Sequence, residues 1–166
     1  MATLNIDYQL RQGSGATGEP VRSNTWEIEV PALGPVHLYA QKVKLPNMVI
    51  EQLKVRHFNS ETKLAGKAEF EDVSITIRDV VEPDMFASIQ AWQKRVFDAE
   101  SKVLGFASEY KEMGFAHVYD SQGGDIRTYT LQGLWPKKFT AGDRNYDDAK
   151  GVEIELELSC DYFTIS

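Results

Sequence analysis

The side chains able to do chemistry are of few kinds and are scattered. Three histidines, His37, His57 and His117, stand far apart, and none has a Cys, His or Asp at a metal-ligand spacing on the same stretch. The single cysteine, Cys160, follows Ile154, Leu156 and Leu158 on one alternating face, where a thiol acts as a small apolar group and not as a nucleophile. Gly13-Ser-Gly-Ala-Thr-Gly18 has the glycine spacing of a dinucleotide loop, but that loop needs a helix opening at its last glycine. Glu19-Pro20-Val21-Arg22-Ser23-Asn24 offers none. No nucleophile-elbow, phosphate-loop or zincin pattern occurs. Carboxylates are the exception to this scarcity. Glu153, Glu155 and Glu157 recur at every second residue, and Glu27 with Glu29 and Glu69 with Glu71 repeat the spacing. A catalytic pair is set singly against a pocket, so such rows read either as solvated strand faces or as the shared surface of an oligomer. The expectation is a protein that is not an enzyme and holds no cofactor and no metal.

The elements that carry these rows come from hydrophobic periodicity. Around residues 67–97 the period changes once, from two to about 3.6. Val73, Ile75 and Ile77 alternate with Ser74, Thr76 and Arg78 as a half-buried strand. Met85, Phe86, Ile89, Trp92, Val96 and Phe97 then make a helical stripe. Pro83 suits its first position, Glu82 and Asp84 its positive end, and Lys94 and Arg95 its negative end.

Upstream, residues 1–23 lack periodicity and read as a flexible arm. Trp26, Ile28 and Val30 mark a strand that Pro31-Ala-Leu-Gly-Pro35 breaks, and Val36–Lys44 is a second candidate. Met48–Phe58 is a third, with neither face cleanly apolar, which suits a strand that leaves the core and meets a neighbouring chain. Asn59–Gly66 carries turn residues, so this strand and the next form a long hairpin with a protruding tip. Asn59, Ser60, Glu61, Thr62, Lys63 and Leu64 are the candidate inter-subunit contacts, since the tip exceeds what joining two strands requires.

Downstream, residues 98–114 read as partly helical loop. A hairpin is expected over Phe115–Asp120 and Ile126–Gln132, joined by the glycines after Ser121, with Pro136 ending its ladder. The clearest strand is the last, from Val152 to Phe163. About seven strands with one good helix give a mainly β chain, an antiparallel sandwich or barrel with a flanking helix, in a single domain over residues 1–166.

At 166 residues and 42% hydrophobic content the chain is long enough for one good core. No stretch is apolar enough to span a membrane, and the start lacks the pattern of a signal peptide. A formal charge of −7 argues against a surface that grips nucleic acid by neutralising phosphates.

The order of these segments resembles the tail tube proteins of contractile-tailed bacteriophages. The resemblance rests on the strand pair from Val49 to Ile77, the helix with its central Trp92, and the hairpin through Tyr119-Asp-Ser-Gln-Gly-Gly124. Tyr129-Thr-Leu-Gln-Gly-Leu-Trp-Pro136, Leu134-Trp-Pro-Lys-Lys-Phe139 and the ending Ser159-Cys-Asp-Tyr-Phe163 add to it. It covers roughly residues 26–165, while the arm and residues 98–110 depart from the family's picture. It implies homohexameric rings with a continuous inner barrel, stacked into a virion tail tube and assembled in the host bacterial cytoplasm. It also implies sheath and baseplate proteins as partners, and DNA passing through without specific binding. Tubes of pyocins or type VI secretion are the alternative. If the lumen is acidic, Glu153, Glu155 and Glu157 are its first candidates, ahead of Glu69, Glu71, Glu27 and Glu29. The main rival is a monomeric barrel binding an apolar ligand, with Trp26, Phe70, Tyr129 and Trp135 lining its cavity.

Overall fold

The computed structural model describes residues 21–144, 146–147 and 150–166. The Gly13–Gly18 motif and most of the expected arm lie outside them. The strands are β1 (Trp26–Glu29), β2 (Ala40–Lys44), β3 (Met48–His57), β4 (Ser60–Phe70) and β5 (Val73–Arg78). Helix α1 (Met85–Val96), β6 (Phe97–Asp98), β7 (Val103–Leu104) and the short α2 (Ala107–Tyr110) follow. The chain then forms β8 (Glu112–Tyr119), β9 (Asp125–Ala141), β10 (Glu153–Ser159) and β11 (Tyr162–Ile165).

The main sheet is antiparallel, in the order β1-β8-β9-β10-β5-β2, with β11 also on β9. It is open, with β1 and β2 at its edges, and β9 divides it into two wings. The first ten residues of β9 pair with β8 and β11, and Trp135–Ala141 pair with β10. At the changeover Gly133 has φ +68°, and a Cβ there would overlap the Asp161 carboxylate, so any other residue is strained. Pro136 does not end the ladder as expected. It faces Leu158 beside a register shift between Glu157 and Leu158, and such an irregularity accommodates a residue without an N–H.

Both wings contribute to one core. β5 buries Val73, Ile75 and Ile77, and β10 buries Ile154, Leu156 and Leu158, each by strict alternation. From the other wing come Ile28, Ala116 and Leu131, and α1 lays Met85, Ile89 and Trp92 over them. Trp92 is 1% exposed, and its indole N–H donates to the Tyr110 carbonyl at 2.7 Å, which satisfies the polar end of a buried ring. The helical stripe is therefore core, but it is narrower than its spacing predicts: Phe97 stands 45% exposed, outside the helix. Nor is Pro83 the first helical residue. Asp84 is the N-cap, its carboxylate accepting the Ala87 N–H at 2.9 Å, while Lys94 and Arg95 do occupy the last turn.

Three other expectations need correction. Val36–Leu38 is a 3-10 turn, so the second strand begins only at Ala40. In the stretch expected to be partly helical loop, α2 supplies the helical part, but Phe97–Leu104 form a miniature hairpin, β6 on β7. The last strand is two: β10 ends at Ser159 and β11 starts at Tyr162, because the chain crosses from one wing to the other around Cys160.

Candidate assembly surfaces

The long hairpin β3–β4 stands apart from this core. It is a two-stranded sheet of its own, and all ten residues of β3 are exposed, as are those of β4 up to Glu69. Its root is held: the Glu71 N–H donates to the Asn47 carbonyl at 3.0 Å, and the Glu71 carboxylate accepts from Asn47 Nδ2 at 3.0 Å and lies 3.7 Å from Lys44 Nζ. The tip is tighter than expected. His57 pairs with Ser60, so Phe58 and Asn59 alone make the turn, and Ser60–Gly66 are paired strand. Phe58, 96% exposed, sits there at φ +51°, where a bulky side chain is strained.

Register assigns the hairpin's faces, since directly opposed residues share a side. Leu53 faces Leu64 and Val55 faces Thr62; Lys54 faces Lys63 and Arg56 faces Glu61. The outer half thus has one apolar face and one charged face, with Glu61 3.5 Å from Arg56 and 3.8 Å from Lys54. Near the root the apolar side is the opposite one. Met48 faces Phe70 and Ile50 faces Ala68, and Phe70 meets Phe163 of the body edge-on at 5.6 Å. A bulge lies between, where Gly66 closes on the Glu51 carbonyl.

A second exposed apolar cluster lies at residues 97–106. Phe97 pairs with Leu104, and Val103, Leu104 and Phe106 are 59%, 72% and 76% exposed. The corner is rigidly built. The Asp98 carboxylate accepts from Ser101 Oγ at 2.8 Å and from the Glu100 N–H at 3.2 Å, bonds that hold its pKa below the usual range. The Gly105 N–H donates to the Val96 carbonyl at 3.0 Å.

The acidic rows prove unlike one another. Glu153, Glu155 and Glu157 do form one outward face, but register sets them beside Arg78 on β5 and Lys138 on β9, with Lys42 and Lys44 one strand further. That face is a mixed ladder of charge. Across the other wing, Glu27 and Glu29 on β1 share their side with Phe115, His117, Tyr119 and Asp125, and this face carries acid without Lys or Arg. The Tyr119 hydroxyl donates to Glu27 Oε2 at 2.9 Å; that bond, burial and the nearby carboxylates push its phenol up to about 12. Glu69 pairs with Lys67 at 3.4 Å, and Glu71 is tied into the hairpin root.

Among the described residues no three His, Cys, Asp or Glu groups converge to hold a metal. His37 lies 4.0 Å from Glu27, His117 is 3.2 Å from Thr128 Oγ1, and His57 is at the hairpin tip. Cys160 is 7% exposed, and burial raises its thiol's pKa, as an inert role requires. The four aromatics proposed for an apolar cavity instead fill space between elements. Trp26 packs on the core, Tyr129 lies 6.1 Å from Phe163, and Trp135 is 6.2 Å from Tyr110.

No family model matches the chain. It is 24% identical over 154 residues to the tail tube protein of Enterobacteria phage T4, covering 89% of this chain and 93% of that relative. It is 25% identical over 171 residues to the tail tube protein of Serratia phage KSP90, covering 97% and 93%. Its fold matches a chain of an extracellular contractile injection system, the PVC sheath–tube complex in the extended state, with a TM-score of 0.71 and 11% identity over 92% of this chain and 99% of that one. The resemblance drawn from segment order is thus borne out by relatives that carry that name.

Proposed function

We propose that this chain is the tube subunit of a contractile phage tail, a structural protein of the virion whose copies close into a ring and whose rings stack into a conduit. The observation that carries the reading is the β3–β4 hairpin, which presents apolar side chains on both faces and, among the described residues, buries none of those in its outer half. A two-stranded sheet by itself is marginal in water, and a long apolar edge left open invites aggregation, so a neighbouring copy is its natural cover. The open edges of β1 and β2 support the same reading, because joining such strands between copies would give one continuous barrel around an axis. Six copies to a ring, sheath and baseplate partners, and assembly in the host cytoplasm are further parts of this reading; neighbours of the same fold taken from a baseplate and from a sheath–tube complex support the partners. Phage is favoured over pyocin or secretion tube because the relatives at 24% and 25% identity are phage proteins.

DNA then passes through without being held. The net charge of −7 supports this, since a wall that neutralised phosphates would release counterions and bind. The acid-only face of Glu27, Glu29 and Asp125 replaces the Glu153 row as the wall of choice, because the Glu153 row is balanced by Lys42, Lys44, Arg78 and Lys138.

Negative-stain microscopy with light scattering of the purified full chain tests the reading. Rings or tubes are expected as concentration rises; a clean monomer throughout would overturn it. Replacing Glu27 and Glu29 with lysine in an intact particle should slow DNA release and make it salt-dependent.

A further inference from the structure

Eleven of the large exposed hydrophobic side chains among the described residues fall in just two places, the hairpin and the 97–106 corner. We infer that the two are halves of one contact: the outer apolar strip of the hairpin (Leu53, Val55, Leu64) docks on the corner (Phe97, Leu104, Phe106) of a second copy of this chain. The inference rests on the tube-subunit reading and names the receptor for its hairpin.

Direction is the first argument. Near the root, the side facing the body is apolar and Phe70 meets Phe163, but beyond the bulge that same side bears Lys54, Arg56, Lys63 and Glu61. The strip points the other way, away from the side that touches its own body. It is also far out: strand rise of about 3.3 Å per residue sets Leu53 to Val55 some 17–23 Å beyond Met48.

Symmetry is the second. Strip on strip would be a self-complementary contact that closes a pair and stops, whereas strip on corner is head-to-tail and propagates, which a tube requires. Charge is the third. Among the described residues, Glu51, on the strip's face, and Lys102, at the corner's rim, have no ion-pair partner within 4.0 Å, and docking brings these opposite signs together. Finally, the corner is preformed by the Asp98 turn and the Gly105 bond to Val96, so little ordering is needed on binding.

The test mixes a tagged Leu64→Cys chain with an untagged Leu104→Cys chain, lets them assemble, and adds a short bismaleimide. A tagged–untagged covalent dimer is expected at least tenfold above the control pairing of Leu64→Cys with Val81→Cys, an exposed site outside the contact. Tubes that form without that excess would overturn the docking and leave the tube reading standing. A wild-type chain that never assembles would overturn the tube reading itself. Should either cysteine block assembly of a folded chain, charge reversal decides: Leu64→Lys and Leu104→Glu should each cut assembly at least tenfold, and mixing the two should restore it. Failure of the mixture to restore assembly overturns the contact.

Discussion

The sheet body and the β3–β4 hairpin are written in nearly the same residues, yet they behave oppositely. β5 and β10 alternate aliphatic and polar side chains and bury every aliphatic one; β3 alternates only over Leu53–Arg56, and neither it nor β4 buries a residue. The difference lies in what the apolar face meets. In the body each face has a helix or the other wing over it. In the outer hairpin none of the described residues covers it. Alternation therefore marks a face suited to be covered, without saying whether its own chain covers it.

Ranked by their effect on the folding of the body, four perturbations sharpen this contrast. Trp92→Ala removes the largest fully buried side chain and its bond to Tyr110, and should cost about 3–5 kcal/mol in chemical denaturation, a large share of a domain's stability. Gly133→Ala forces a Cβ into the Asp161 carboxylate at positive φ and should cost about 1–3 kcal/mol, with the loss of the Lys111–Asp161 pair at 2.6 Å visible in lysine amine shifts. Tyr119→Phe should cost no more than about 1 kcal/mol at neutral pH. Because the folded state holds the Tyr119 proton more tightly, its contribution is whole below pH 10 and is lost as pH rises toward about 12; phenol absorbance should show that late titration, and Glu27→Gln should bring it down. Last, replacing residues 53–64 with Asn-Gly, so that Gln52 and Ala65 become the closing pair, should shift the body's stability by less than about 0.5 kcal/mol while abolishing assembly. A body that melts much earlier without its hairpin would erase the contrast.

The same contrast explains what the sequence made legible. Val73, Ile75 and Ile77, Ile154, Leu156 and Leu158, and Met85, Ile89 and Trp92 announce their elements because burial enforces their period. Ser60–Lys63 read as turn because no core imposes a pattern there, and polar residues on an exposed strand resemble loop. Pro83 and Pro136 misled separately: the N-cap falls on Asp84, which leaves Pro83 outside the helix, and the register shift beside Pro136 lets the ladder run past a residue without an N–H. On the candidate site, the Glu153 row was visible and its neutralisation was not. Lys42, Lys44, Arg78 and Lys138 become its neighbours only through register between strands distant in sequence. The 97–106 corner gave no periodic signal, since a two-residue strand is too short to repeat a period of two.

The hairpin's root has a mechanical meaning. β3 follows β2 across Leu45-Pro46-Asn47, and β4 leads into β5 across Glu71-Asp72, while β5 lies between β2 and β10 in the main sheet. A pull on the tip is therefore delivered along two ladder strands and not to a flexible tether. Along the strand direction it loads the β5 hydrogen bonds on both sides together, in shear, so they must fail at once instead of unzipping singly. An appendage rooted this way can bear tension while the core behind it stays folded.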